Sequence, residues 1–479
     1  MEKLVRSNIL AVTPYVSGKP IEETRRELGL REVIKLASNE NALGPSPKAV
    51  EAIKKALPRL NRYPDSQGFY LKKKLAKALR LGADNFVLGN GSDELIDIVI
   101  RTFVEDDENV VTADLTFLEY EIVSSVNARK VVKVPLRYFK YDLEALRKKI
   151  DRKTKVVFIA NPNNPTGTYV ARCELEEFLA GLPANVIVVL DEAYDSFIEA
   201  DDFPFGINYI KKANVLVFKT FSKAYGLAGL RLGYAVGRPE LISFMERVRQ
   251  PFNVNSLAQA AACAALDDRK FLQKTRAEVL RGKEYLYAAL RGLGIACVQS
   301  AANFLLVDTG RDGVGVFREL LKLGVIVRDM KQYGLKNFVR VTVGTRRENE
   351  KFVTLTDEPV LGEEARLADE ARAEDEAFDE QDPRVSEDRA LDDEPVTDGA
   401  TRVEPDELDL ELGAFAAAAI RMTRTIESAC AAPSEPPAKR ASWAKQKTGC
   451  PATVPAPATT PSPGCDRRSE RESTADRII

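Results

Sequence analysis

Lys223 lies in a Ser- and Gly-rich stretch, VLVFKTFSKAYGLAGLRLGY, just past an apolar run, with Thr220 and Ser222 beside it and Arg231 eight residues on. Most lysines are simply solvated, but one in a turn after a buried strand can be desolvated and used as a nucleophilic amine. The run VIVVL ends in Asp191, followed by Glu192 and Tyr194. A carboxylate at the end of a buried strand is costly unless it meets a cation or a donor, so it points to a site. In LGNGSDELIDI, Gly89, Gly91, Ser92 and Asp93 open a helical pattern whose free N–H groups can cradle a phosphate. An ordinary Ser/Asp cap after a glycine turn fits the same residues. IANPNNPTGTYV, after VVFIA, is an irregular loop that either aims amide side chains inward or merely turns the chain.

Taken together, these segments supply an amine, a carboxylate, hydroxyl donors, a helix start and an arginine. That is the set a pyridoxal phosphate site requires. The amine forms a Schiff base with the aldehyde, the carboxylate keeps the ring nitrogen protonated, and the other groups hold the phosphate. The chain contains no histidine. This excludes Ser-His-Asp and Cys-His catalysis and His-ligated metals, and leaves acid–base work to Lys, Tyr, Asp, Glu or Cys. The six cysteines show no metal-ligand spacing, so no metal site is expected. No GxGxxG follows a strand and no P-loop occurs, which argues against a dinucleotide or nucleotide fold.

The elements that must position these residues alternate along the chain. Short β-branched runs at 109–112, 130–134, 156–160, 186–190, 215–219 and 234–237 are separated by helix-length segments. The alternation predicts an α/β fold, and runs apolar on both faces predict a mostly parallel central sheet flanked by helices. Ligand sites in such sheets gather at the carboxyl ends of the strands, where all four segments fall. After residue 249 a long helical pattern over 256–290 leads to short strands at 304–307, 325–327 and 338–342, read as a smaller α+β domain that the N-terminal segment joins.

Composition changes near Phe352. Residues 1–356 hold 55 basic against 43 acidic side chains, 357–412 hold 5 against 23, and 413–479 hold 10 against 6. No lysine occurs between Lys351 and Lys439, and the end is rich in Pro and Ala. Such a stretch cannot bury enough apolar surface to offset chain entropy, so 354–479 is expected to be a largely disordered tail, with Leu408–Ala432 as one candidate amphipathic helix. No apolar run approaches the length of a membrane span, and MEKLVRSNIL lacks a signal-peptide core, so a cytoplasmic protein without membrane contact is expected. The basic residues of the body are dispersed among acids, which argues against nucleic acid as a partner.

GNGSDE, NPNNPTG, DEAYDSF and TFSKAYGLAGLRLGY, in this order, closely resemble fold-type I pyridoxal-phosphate aminotransferases. TPYVSG, LASNENALGPSP, RYPD, NFLLV, VIVRDM and VRVTVGTR are similar to the histidinol-phosphate branch of that family. The resemblance covers roughly residues 5–353 and implies a domain arrangement of about 36–248 for a large cofactor-binding domain and 1–35 with 249–353 for a small one. It implies that Lys223 carries the cofactor and moves the proton, that Asp191 pairs with the ring nitrogen, that Asn164 and Tyr194 bond the ring hydroxyl, and that Phe117 stacks on the ring. Ser92, Asp93, Thr220, Ser222 and Arg231 would surround the phosphate, and Tyr63 would reach it from the neighbouring subunit of a homodimer with shared sites. Arg328 and Arg340 would bind the anionic group of histidinol phosphate or of 2-oxoglutarate and glutamate, with Tyr15 and Asn39 lining the pocket. Threonine-phosphate decarboxylases and aromatic or broad-range aminotransferases share the scaffold. A non-catalytic ligand-binding body with a partner-binding tail is the remaining alternative.

Overall fold

A computed structural model describes residues 2–357. Strand β1 (Ile34–Lys35) is followed by β2 (Phe86–Gly89), β3 (Asn109–Ala113), β4 (Lys130–Val134), β5 (Thr154–Ala160), β6 (Ile187–Asp191), β7 (Val215–Thr220) and β8 (Gly233–Val236). The last seven form one sheet in the order β2-β8-β7-β6-β5-β3-β4, parallel throughout except for β8, which runs antiparallel to both its neighbours.

The doubly apolar runs have the predicted cause. Val157, Ile159, Val188, Leu190, Val215 and Val217 face one core cluster. The residues between them, Val156, Phe158, Ile187, Val189, Leu216 and Phe218, face another on the opposite side. Side chains alternate across a strand, so burial on both faces requires an uninterrupted apolar run. The sequence reading missed β2, whose four residues are too few to stand out between Asn85 and Gly91.

The second sheet contains β9 (Phe304–Asp308), β11 (Arg328–Asp329) and β12 (Phe338–Thr342), antiparallel in the order β11-β12-β9. The run predicted at 325–327 is divided: β10 (Val325–Ile326) pairs in parallel with β1, and the chain then crosses to β12 as β11. The helical pattern over 256–290 is likewise two helices, Ser256–Ala265 and Arg269–Gly292. Asp268 ends the continuity. It caps the second helix through Phe271 N–H and accepts a 2.7 Å hydrogen bond from Ser46 Oγ, a side-chain option that competes with helix continuation.

The closing helix runs over Arg346–Asp357, so order extends into residues 354–357, where disorder was expected. Phe352 is buried and Val353 and Leu355 pack on the cluster of the second sheet, so this turn has core to cover. The remainder of the expected tail, including Leu408–Ala432, lies outside the described residues. Among the described residues no helix is long and apolar enough to cross a membrane.

One glycine ties the Lys223 turn to the rest of the fold. Gly226 has φ +68°, and a Cβ there would stand 2.1 Å from Gly44 O. Gly226→Ala is expected to destabilise the protein by roughly 2 kcal/mol or more, combining left-handed strain with a backbone clash. A urea midpoint equal to that of wild type would show that the two loops can separate freely.

Candidate active site

A cavity of about 430 Å³ opens where Ala160, Asp191 and Thr220 end β5, β6 and β7. Every site residue expected from sequence lines it except Tyr63. The loops that complete it follow β3 and β5. The chain goes outward from β3 to β4 and then returns to the other side of β3 as β5, leaving a crevice at this switch in strand order.

Lys219 lies near the end of β7 and Lys223 in the turn after it, and the two amines meet different surroundings. Lys219 is buried and points away from the cavity into an acidic pair, 3.0 Å from Glu192 Oε2 and hydrogen-bonded to Asp195 Oδ2. Those two carboxylates outweigh desolvation and hold its amine firmly protonated. Lys223, in contrast, faces the cavity, and its Nζ donates only to Ser38 O at 3.1 Å. Burial first, and then the charge of Arg340, bring its pKa down to about 8. A lysine in that range supplies appreciable neutral amine near neutral pH.

Asp191 is buried and held on both oxygens. Tyr120 Oη donates to Oδ2 at 2.8 Å and Ala193 N–H donates to Oδ1 at 3.2 Å. Desolvation dominates and pushes its pKa up to about 6, against the lowering effect of these donors. Tyr120, stacked on Phe158 at 4.7 Å and edge-on to Phe117 at 5.6 Å, escaped the sequence reading. Its only visible signal was a position three residues beyond Phe117, one helical turn further along.

At the start of the helix Gly91–Phe103, no side chain caps the first turn. Arg231 lies across it, 2.7 Å from Asp93 Oδ2, and a Cβ on Gly91 would sit 2.6 Å from Arg231 Nη2. The glycine therefore admits the guanidinium beside open backbone donors, an arrangement suited to a phosphate. Ser92 and Ser222 share this wall, while Thr220 Oγ1 accepts a 3.0 Å bond from Ser222 N–H and shapes the turn.

On the opposite wall, β11 and β12 place Arg328 directly across from Arg340. Like charges opposed on a sheet repel, and both guanidinium groups are buried. Arg340 donates to Ala37 O at 2.8 Å and to Asn164 Oδ1, and its buried Nε has no partner. Arg328 donates to Val16 O and Gln332 and lies over the Tyr15 ring. Neither meets a carboxylate among the described residues, so the pair lacks the anion that would relieve its repulsion.

Tyr194 and Asn39 are in contact: Asn39 Nδ2 donates to Tyr194 Oη at 3.0 Å. The Tyr194 ring packs edge-on against Phe304, and Lys223 Nζ lies 5.8 Å from its centroid. Tyr63 is 83% exposed and stacks on Phe252, away from the cavity of its own chain. Among the described residues no group of acidic and sulfur side chains could hold a metal.

A lysine beyond a parallel sheet, a buried Asp and an arginine-flanked helix start define a class of transferase site. The chain belongs to the aminotransferase class I and II family, whose model matches residues 31–354. More particularly, it is 49% identical over 350 residues to a histidinol-phosphate aminotransferase of Moorella thermoacetica, covering 73% of this chain and 91% of that protein. It is 47% identical over 351 residues to the Anaeromyxobacter enzyme of the same name, covering 73% and 96%. The crystal structure of histidinol-phosphate aminotransferase from Sinorhizobium meliloti in complex with pyridoxal-5'-phosphate superposes with a TM-score of 0.68 at 28% identity, over 74% of this chain and 96% of that one.

Proposed function

We propose that the protein is a pyridoxal-phosphate-dependent aminotransferase that moves an amino group between L-histidinol phosphate and 2-oxoglutarate. The observation that carries this reading is the Arg328–Arg340 pair, buried without a carboxylate in the cavity that Lys223 faces. Two guanidinium groups can bind a phosphate or a carboxylate bidentately, so one wall serves both substrates in turn. The names of the relatives agree with this substrate class.

The residues present fit the cofactor. Bound there, pyridoxal phosphate supplies an aldehyde that carries the amino group and a ring that accepts electrons. Arg231, Ser92, Ser222 and the open N–H groups of the helix start would hold its phosphate, with Asp93 orienting Arg231 and Thr220 shaping the turn. Phe117 would cover one face of the ring. Asp191, oriented by Tyr120, would keep a proton on the ring nitrogen, and Asn164 and Tyr194 would hold the ring oxygen. Lys223 Nζ, when neutral, would take a proton from the substrate carbon and return it elsewhere on the bound group.

In this reading residues 36–248 form the cofactor-binding domain, and 1–35 with 249–353 form the domain that brings the arginines. Tyr63 faces outward and is assigned to the site of a second copy in a homodimer.

The test is to add L-histidinol phosphate to the cofactor-loaded protein without an oxo acid. The visible band should give way to that of the pyridoxamine form, and 2-oxoglutarate should restore it. A band that ignores histidinol phosphate but answers another amine would overturn the substrate assignment. Release of carbon dioxide from a phosphorylated amino acid would indicate a decarboxylase.

A further inference from the structure

Asn39 lines the cavity, yet all of its bonds but the one to Tyr194 lead away from it. The residue is 1% exposed and holds φ +54°, a left-handed backbone that Asn tolerates better than most residues. Its N–H donates to Thr342 Oγ1 at 2.9 Å, and Thr342 Oγ1 donates back to Asn39 Oδ1 at 3.2 Å. Asn303 Nδ2 donates to Asn39 O at 3.1 Å. Neither Thr342 nor Asn303 lines the cavity, so a buried frame from the second sheet grips this residue from behind. A strained residue held by several outside bonds is over-determined, which is how functional geometry is maintained.

The amide is oriented with Oδ1 accepting from Thr342 Oγ1 and Nδ2 facing Tyr194. We infer that Asn39 is a positioning residue that makes the Tyr194 hydroxyl a donor toward the cavity. With an amide proton already donated to its oxygen, the phenol must direct its own proton to an acceptor elsewhere. This rests on the reading above, in which the acceptor is the ring oxygen of pyridoxal phosphate. A charged oxygen there gains most from a donor locked in place in advance. Asn39 thus acts on the cofactor through Tyr194, rather than on the substrate as its place in the pocket suggests.

Two variants separate the amide from the backbone. Asn39→Asp keeps the size and the tolerance of positive φ, but offers Tyr194 an acceptor and so turns the phenol proton away from the cavity. Asn39→Gly keeps the backbone and removes the amide altogether. The measurements are the dissociation constant of pyridoxal phosphate from reconstituted protein and the pH midpoint of its visible band. Both variants, and Tyr194→Phe, should weaken cofactor binding by about tenfold, the loss of one hydrogen bond to a charged group. They should also raise the midpoint, because an oxygen without its outside donor holds the neighbouring proton more tightly. Arg340, Asp191, Asp93 and Lys223, the charged groups that face Tyr194, remain in every variant, and Asn39→Gly, unlike Asn39→Asp, adds no charge to them.

The double variant Asn39→Asp with Tyr194→Phe should bind the cofactor within about twofold of Tyr194→Phe alone, since the amide then has no hydroxyl to direct. Full additivity, or wild-type affinity and midpoint in both Asn39 variants, would overturn the inference while leaving the cofactor assignment intact. Wild-type behaviour of Tyr194→Phe itself would remove Tyr194 from the cofactor site and the inference with it.

Discussion

Lys223→Ala is expected to slow amino-group exchange by about 10⁴-fold or more, because it removes both the anchoring amine and the group that moves the proton; the proton-transfer part alone is typically worth roughly 10²–10⁴. Lys219 cannot stand in for it. That amine is turned behind the sheet into Glu192 and Asp195, which hold it protonated. The measurement is the single-turnover rate with histidinol phosphate, followed by addition of a small primary amine. Partial recovery with the added amine would identify the missing group as a base. A variant that exchanges amino groups at the wild-type rate would remove Lys223 from the reaction.

The second large effect is expected at Asp191, and it has opposite signs for activity and stability. Asp191→Asn should lower the exchange rate by roughly 10³-fold, because a neutral amide does not hold a proton on the ring nitrogen as a carboxylate does. In the cofactor-free protein the same change should be stabilising at pH 7.5. The Asp191 carboxyl rises from 3.8 to about 6 on folding, so the fold binds its proton more tightly than the unfolded chain. Its contribution favours the fold below pH 4 and is lost as pH rises through 6. Above that pH the buried charge costs on the order of 2–3 kcal/mol, a cost that the neutral amide of the variant avoids while Tyr120 accepts from it. Urea unfolding of both proteins without cofactor at pH 4.5 and 7.5 measures this. A gain at pH 4.5 as large as at pH 7.5 would mean that desolvation of the carboxylate is not its source.

That trade-off explains why the site was largely legible in the sequence. A lysine, an aspartate and a helix start placed at the ends of apolar strands violate the preference for dry, neutral interiors, and such violations concentrate where chemistry is done. Asp191 stood out because VIVVL leads straight into it. Phe117 and Arg231 were less conspicuous as single residues, and their expected roles came from the family resemblance. Residues that hold others in place were not singled out: Tyr120 reads as one more core aromatic, and Thr342 and Asn303, though inside VRVTVGTR and NFLLV, as ordinary strand and turn residues. The division of Ser256–Leu290 was hidden for a related reason. Apolar spacing continues across Asp268, and only the contact with Ser46, far away in the chain, makes a cap there the better use of that side chain.

The sequence by itself determined the layered α/β plan, since strands buried on two faces must be apolar throughout, and it determined the chemical types gathered at the strand ends. That Lys219 turns away from the cavity while Lys223 faces it, that Arg328 and Arg340 oppose one another, and that Asn39 donates to Tyr194 were decided only by the tertiary structure. These depend on residues of separate elements meeting in space. Local pattern records which face of an element is buried, but not which side chain of another element will be waiting there.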